Sequence, residues 1–214
     1  MSVRSLTAIA AACVTSVLLA ACGPTDNPTS GQPTTGNTTA AAASPTAAAA
    51  AVKDLTPGNC TVYPKANAVS LLGGVNVNNT ALDIPTGDGQ KIDLCSYLYL
   101  KGQTDLQGFS YAVVRFDSAA TAFAQAQKVQ SEMLDSASEN NWPVQSLVNP
   151  VPGAGQMLGG YGTKDEDGLT ATLAVVGTNV GPYLVAVIGA STESPDNAKN
   201  FALTVFKAVA AAVA

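Results

Sequence analysis

The chain has 214 residues, of which 47% are hydrophobic and 12% charged, with a net charge of -5 and no histidine. An acidic, lightly charged chain has no basic stripe to neutralise phosphates, which excludes nucleic acid as an expected partner. The absence of histidine excludes Ser-His-Asp and Cys-His catalysis, histidine-based zinc sites and the usual general base near neutral pH, so an enzyme would have to work with carboxylates, Lys, Tyr or Ser.

In chain order, the first feature is a targeting signal. Arg4 supplies a positive n-region, and Leu6 to Leu19 is an uncharged apolar stretch. It is shorter than the roughly 20 residues of a membrane-spanning helix and suits a signal-peptide h-region. Leu19-Ala20-Ala21-Cys22 follows, then Gly23. Ordinary secretory cleavage after small residues is one reading. The sharper one is lipoprotein processing, because these four residues resemble the bacterial lipobox, whose Cys is acylated and becomes the mature N-terminus. Residues 1–21 are therefore read as a lipoprotein signal peptide and Cys22 as the site of lipidation, palmitate being the expected type of chain. The expected location is the cell membrane, lipid-anchored, facing the extracytoplasmic side.

Cysteine parity agrees. The four cysteines are Cys13, Cys22, Cys60 and Cys95. Cys13 leaves with the signal peptide, and a free Cys22 would make three in an oxidising compartment. A lipidated Cys22 leaves Cys60 and Cys95 to pair, and disulfides form outside the cytoplasm. Closing a loop of that length stabilises a fold by roughly 4 kcal/mol on the chain-entropy model. The alternative is two separate buried thiols.

Residues 22–52 are read as the lipidated Cys and a Thr/Pro/Ala-rich tether. The tract carries one charge, Asp26, and almost nothing large enough to bury, so its composition predicts disorder. It would span roughly 30 Å root-mean-square as a flexible chain. Its Thr- and Pro-rich character also resembles O-glycosylated stalks.

Residues 53–214 amount to a single globular domain. A short helix is expected over 66–72, between Pro64 and Gly73-Gly74. Residues 74–93 read as polar and turn-rich. LCSYLYLK, 94–101, alternates with Cys95, Tyr97 and Tyr99 on one face, and FSYAVVRF, 109–116, follows as a second strand. Asp117 or Ser118 caps a helix to about Ser138, with an apolar stripe of Ala119, Ala122, Phe123, Ala126, Val129 and Met133 interrupted by Gln130. Strands are expected at 144–148, 156–164, 169–177 and 183–190, with Asp167-Gly168 as a hairpin turn. Leu184 to Ile188 is continuously apolar, which predicts cover on both faces. Ser194-Pro195-Asp196 opens a last helix with an N-cap, an N1 proline and an acidic first turn, and Phe201, Val205 and Val209 form its stripe. Runs of strands between separated helices predict an α+β fold with a mainly antiparallel sheet.

Several of these segments together, LTPGNC, YPKANAVSLLGG, LCSY, VPGAGQ and LVAVIGA with the final helix, resemble the actinobacterial, mycobacterial-type lipoproteins with domain of unknown function 3558. The matching positions are Cys60, Leu71-Leu72-Gly73-Gly74, Cys95 with Tyr97, and Pro152-Gly153-Ala154-Gly155. The resemblance implies a sheet flanked by helices in a Mog1/PsbP-like sandwich, a shape that mostly serves binding or assembly. It implies a location and a shape rather than a reaction.

The remaining constellations are weak. Gly153 to Gly159 lacks the third glycine and the strand-to-helix setting of a dinucleotide fingerprint. Asp165-Glu166-Asp167-Gly168 lacks EF-hand spacing. Asp83, Asp88 and Asp93 share a polar stretch that reads as a surface loop, with convergence on a cation as the alternative. No metal and no cofactor are expected. Tyr97, Tyr99 and Tyr111 share a face and are the candidate binding surface, since aromatics with a polar tip suit interfaces; ordinary sheet packing is the alternative. Trp142 reads as core or turn packing. The expected function is a non-enzymatic, membrane-tethered binding or interaction module with an unidentified envelope protein as partner. The second reading is a carrier of a lipid or other apolar small molecule, and the third a carboxylate-based hydrolase.

Overall fold

Alternating residues need a sheet with two covered faces, and the computed structural model supplies one. It describes Leu55 and residues 60–74, 77–81, 91–102, 105–139, 141, 143–147, 157–166 and 169–214. The expected signal peptide, Cys22 and the tether lie outside these residues, as do Asp83, Asp88, Trp142 and the 152–155 turn.

The strands are β1 (Val77–Ala81), β2 (Lys91–Lys101), β3 (Asp105–Arg115), β4 (Val144–Leu147), β5 (Met157–Glu166), β6 (Leu169–Val180) and β7 (Tyr183–Ser191). The helices are α1 (Lys65–Leu72), α2 (Ala119–Glu139) and α3 (Pro195–Val213). All seven strands form one antiparallel sheet in the order β1-β2-β3-β7-β6-β5-β4. Two meanders thus run inward from opposite edges and meet where β3 pairs with β7, Tyr111 opposite Val187. The fold is α+β.

Period-2 alternation divides the side chains between two cores. Cys95, Tyr97, Phe109, Tyr111, Val185, Val187 and Val176 face α1 and α3. Leu94, Ala112, Val114, Leu184, Ile188 and Leu173 face Ala122, Ala126 and Val129 of α2. β7 is covered on both faces, as its unbroken apolar run requires.

The helix ends follow their signals. The Ser118 hydroxyl accepts from the Thr121 N–H at 3.1 Å, and the Ser194 hydroxyl from the Asn197 N–H at 3.1 Å, so each caps its helix. Gly73 ends α1 in the left-handed conformation at φ 71°. The α2 stripe is narrower than expected: Phe123 is exposed, and the Gln130 side chain donates to the Gly177 carbonyl at 3.2 Å. In α3 the expected Phe201, Val205 and Val209 are joined by Ala198, Ala202, Phe206, Ala210 and Val213.

Two expectations are corrected. The stretch 74–93 contains strand β1, whose Val77 pairs with Tyr99 and Ala81 with Cys95. VNNTA has no apolar alternation because it is an edge strand held by backbone pairing. Asp93 belongs to β2 and is wholly buried, not part of a surface loop.

Candidate functional site: a buried tyrosine and carboxylate cluster

The chemistry-bearing residues converge where the segment before α1 crosses the inner face of β2 and β3. Asp93, Cys95 and Tyr97 share that face of β2 by alternation, and register brings Tyr111 opposite Cys95 and Phe109 opposite Tyr97. The Cys60–Cys95 disulfide, with a Cα–Cα distance of 5.6 Å, fastens the segment to the sheet.

Hydrogen bonds complete the attachment. The Val62 N–H donates to Asp93 Oδ2 at 3.1 Å, and the Tyr63 N–H to Tyr111 Oη at 3.2 Å. The Tyr111 hydroxyl donates in turn to Asp93 Oδ2 at 3.0 Å. The Tyr97 hydroxyl donates to the Tyr63 carbonyl at 2.6 Å. The Tyr63 ring stands edge-on to Tyr97, Phe109 and Tyr111, with centroids 5.3 to 6.5 Å away, the arrangement favoured by aromatic quadrupoles. Asp93 Oδ1 lies 3.6 Å from Cys95 Sγ. That sulfur is in the disulfide and carries no proton, so the approach is a contact and not a hydrogen bond. No lysine or arginine among the described residues pairs with this carboxylate.

The tyrosines therefore act as proton donors. Burial first, then the Asp93 charge and then Tyr63, pushes Tyr97 up to about 12. Burial and next the Asp93 charge push Tyr111 well above the ordinary tyrosine range. Burial also raises Tyr63. Deprotonating either sheet tyrosine would place a second negative charge beside Asp93 in a low-dielectric interior.

The tyrosine face expected as an open binding surface is corrected here. Tyr97 and Tyr111 are 0% exposed, beneath the 60–63 segment, and only Tyr99 remains partly accessible. They belong to the core. The segment that covers them comes from more than 30 residues earlier in the chain, so strand alternation alone could not show it. Sequence reasoning missed Asp93 for the same reason. Its one local signal was its place two residues before Cys95, which puts it on the disulfide's face.

Among the described residues no cluster of His, Cys, Asp or Glu could hold a metal ion. A crevice of about 50 Å³ opens between β5, β6 and α3, lined by Gly159, Tyr161, Val176, Lys199 and Leu203. Lys199 sits 4.6 Å from the Tyr161 ring centroid and 2.8 Å from Asp196. Asp165 and Glu166 end β5 opposite Thr170 and Leu169, and the 167–168 connection lies outside the described residues.

No family model and no curated protein sequence matches the chain. The resemblance to the domain of unknown function 3558 thus rests on the sequence motifs. Among solved structures the chain is similar to LpqN, described as involved in cell envelope biogenesis of Mycobacterium tuberculosis, with a TM-score of 0.32, 11% identity, and coverage of 68% of this chain and 94% of that one. Likeness at that level carries no argument about fold or function.

Proposed function

We propose that the chain is a cell-envelope lipoprotein whose extracytoplasmic domain is a non-enzymatic binding or interaction module. The observation that carries the reading is the joint occurrence of Leu19-Ala20-Ala21-Cys22 at the end of a short apolar signal and a disulfide that uses both remaining domain cysteines. Disulfides persist outside the reducing cytoplasm, so an exported chain with one cysteine left for lipid accounts for every cysteine that follows the signal. No helix among the described residues is long and apolar enough to cross a membrane, and on this reading attachment comes from Cys22.

The interaction reading stands ahead of the carrier reading because α3 lies directly against β7 where the two cross, with no room for a ligand between them at that point. A Cβ on Gly189 of β7 would lie 2.1 Å from the Ala198 carbonyl oxygen of α3, so helix and strand touch backbone to backbone. The crevice beside α3 is far smaller than the roughly 300–1,000 Å³ of small-molecule pockets. A hydrolase would need two carboxylates across a cleft, whereas Asp93 is buried and its hydrogen-bond donors among the described residues are the Val62 N–H and the Tyr111 hydroxyl.

Fractionation of cells expressing the wild type and Cys22→Ser tests the anchor. The expected result is loss of membrane partitioning or arrest as an unprocessed precursor, together with loss of acyl label. Unchanged partitioning of the variant would overturn the lipoprotein reading.

A further inference from the structure

The Cys60–Cys95 bond joins two parts of unequal stability. On one side, α3 buries eight side chains against the sheet. On the other, α1 has eight residues, buries only Ala68 and Leu72, and begins at Pro64 without a side-chain cap. A helix that short does not persist alone in water, so its position depends on how its two ends are fixed. Its N-terminal side is held by the disulfide, by the bonds from Val62 and Tyr63 to Asp93 and Tyr111, and by the Tyr97 hydroxyl. At its C-terminal side the chain runs against β2 at Gly74, where a Cβ would fall 2.1 Å from the Tyr99 ring. Cys60 itself adopts φ 52°, a left-handed conformation that costs energy for a non-glycine residue.

We propose that Cys60–Cys95 is a redox latch. Its reduction releases residues 60–74 and uncovers the Tyr97, Phe109 and Tyr111 rings, while the sheet, α2 and α3 stay folded. The reductant required is a dithiol. One of its thiolates attacks Cys60 Sγ, on the more exposed of the two cysteines at 5% against 0%. Cys95 departs as a thiolate and takes up a proton. The second thiolate of the reductant then displaces Cys60 from the mixed disulfide, and Cys60 is protonated in turn. Two electrons pass to the two cysteine sulfurs, and the reductant ends as its own disulfide. Asp93 Oδ1, 3.6 Å from Cys95 Sγ, opposes the charge that develops on the departing sulfur. A poorer leaving thiolate slows exchange, so the carboxylate keeps the latch shut against weak reductants.

Hydrogen exchange of the full chain, with and without dithiothreitol as the dithiol, tests the latch. The amides of residues 65–73 are expected to lose about 100- to 1,000-fold protection on reduction, the scale set by freeing a loop of 35 residues' separation. Trypsin should then cut rapidly after Lys65. The amides of β3, β7 and α3 should keep their protection. The double variant Cys60→Ser/Cys95→Ser should show the same pattern without reductant. Asp93→Asn, which keeps an acceptor for Val62 but removes the charge, should speed reduction by a dithiol about tenfold. Unchanged protection at 65–73 in a chain shown by mass to be reduced would overturn the proposal. So would loss of protection across β3, β7 and α3, which would make the bond a staple of the whole domain. An unaltered reduction rate in Asp93→Asn would remove the carboxylate's part.

Discussion

Gly189→Ala adds one methyl group where α3 and β7 meet through backbone. The new Cβ would lie 2.1 Å from the Ala198 oxygen, 2.8 Å from the Ala202 nitrogen and 3.1 Å from the Ala198 carbonyl carbon. Ordinary contact begins at 3.4 Å, so the closest approach falls short by about 1.3 Å. All three atoms are backbone, and none can rotate aside. Relief requires α3 to back away from β7, yet a gap of 0.5–1 Å already forfeits roughly a quarter to a half of each dispersion contact. Ala198, Phe201, Ala202 and Val205, all fully or nearly fully buried, would share that loss. Overpacking typically costs about 1–3 kcal/mol, and backbone obstruction puts this site at about 3 kcal/mol or above. For a domain of this size that lowers Tm by roughly 6–12 °C. Gly177→Ala is the graded comparison, because its Cβ would meet the Val185 oxygen at 3.3 Å, and its cost should stay below about 1 kcal/mol. Thermal and urea unfolding followed by circular dichroism measure both. A Gly189→Ala variant within 1 kcal/mol of wild type, or one no worse than Gly177→Ala, would refute the claim that α3 and β7 touch through backbone.

The tyrosine cluster and the α3 cap give three further expectations. Tyr97→Phe strands the buried Tyr63 carbonyl and should cost about 1–3 kcal/mol. Tyr111→Phe removes both a donor to Asp93 and the acceptor of the Tyr63 N–H, so urea midpoints should place it below Tyr97→Phe; the reverse order would count against the network. Unfolded tyrosines ionise near 10, whereas folded Tyr97 keeps its proton until about 12 and Tyr111 beyond that. The stabilisation is therefore complete below pH 10 and is lost as pH rises toward 12, at about 1.4 kcal/mol per pH unit for each tyrosine so held. The tyrosinate absorbance of Tyr97 and Tyr111, read as the part lost in Tyr97→Phe and Tyr111→Phe, should rise together with unfolding above pH 10; their ionisation near pH 10 in a folded chain would refute this. Ser194→Ala removes the cap on the Asn197 N–H and should cost about 1 kcal/mol in urea unfolding, and a change under 0.3 kcal/mol would show the cap to be idle.

Local signals determined most of the elements. Ser194-Pro195-Asp196 places the start of α3 because an N-cap hydroxyl and a proline at N1 act within one turn. Alternation places Cys95, Tyr97 and Tyr111 on one sheet face because a strand repeats every two residues. Leu184 to Ile188 required cover on both sides, and α2 and α3 provide it. Cysteine parity selected Cys60 and Cys95, and the fold brings them together. Tertiary structure decided the rest, because it depends on contacts between residues far apart in the chain. The β3–β7 pairing joins two meanders that no local pattern connects, and β1 is a strand through β2's free edge rather than through its own VNNTA composition. Whether the tyrosine face lies open or sealed depended on where residues 60–63 lie. They lie across it, turning Tyr97 and Tyr111 from a candidate surface into a core and Asp93 from a presumed loop residue into the buried acceptor beneath the latch.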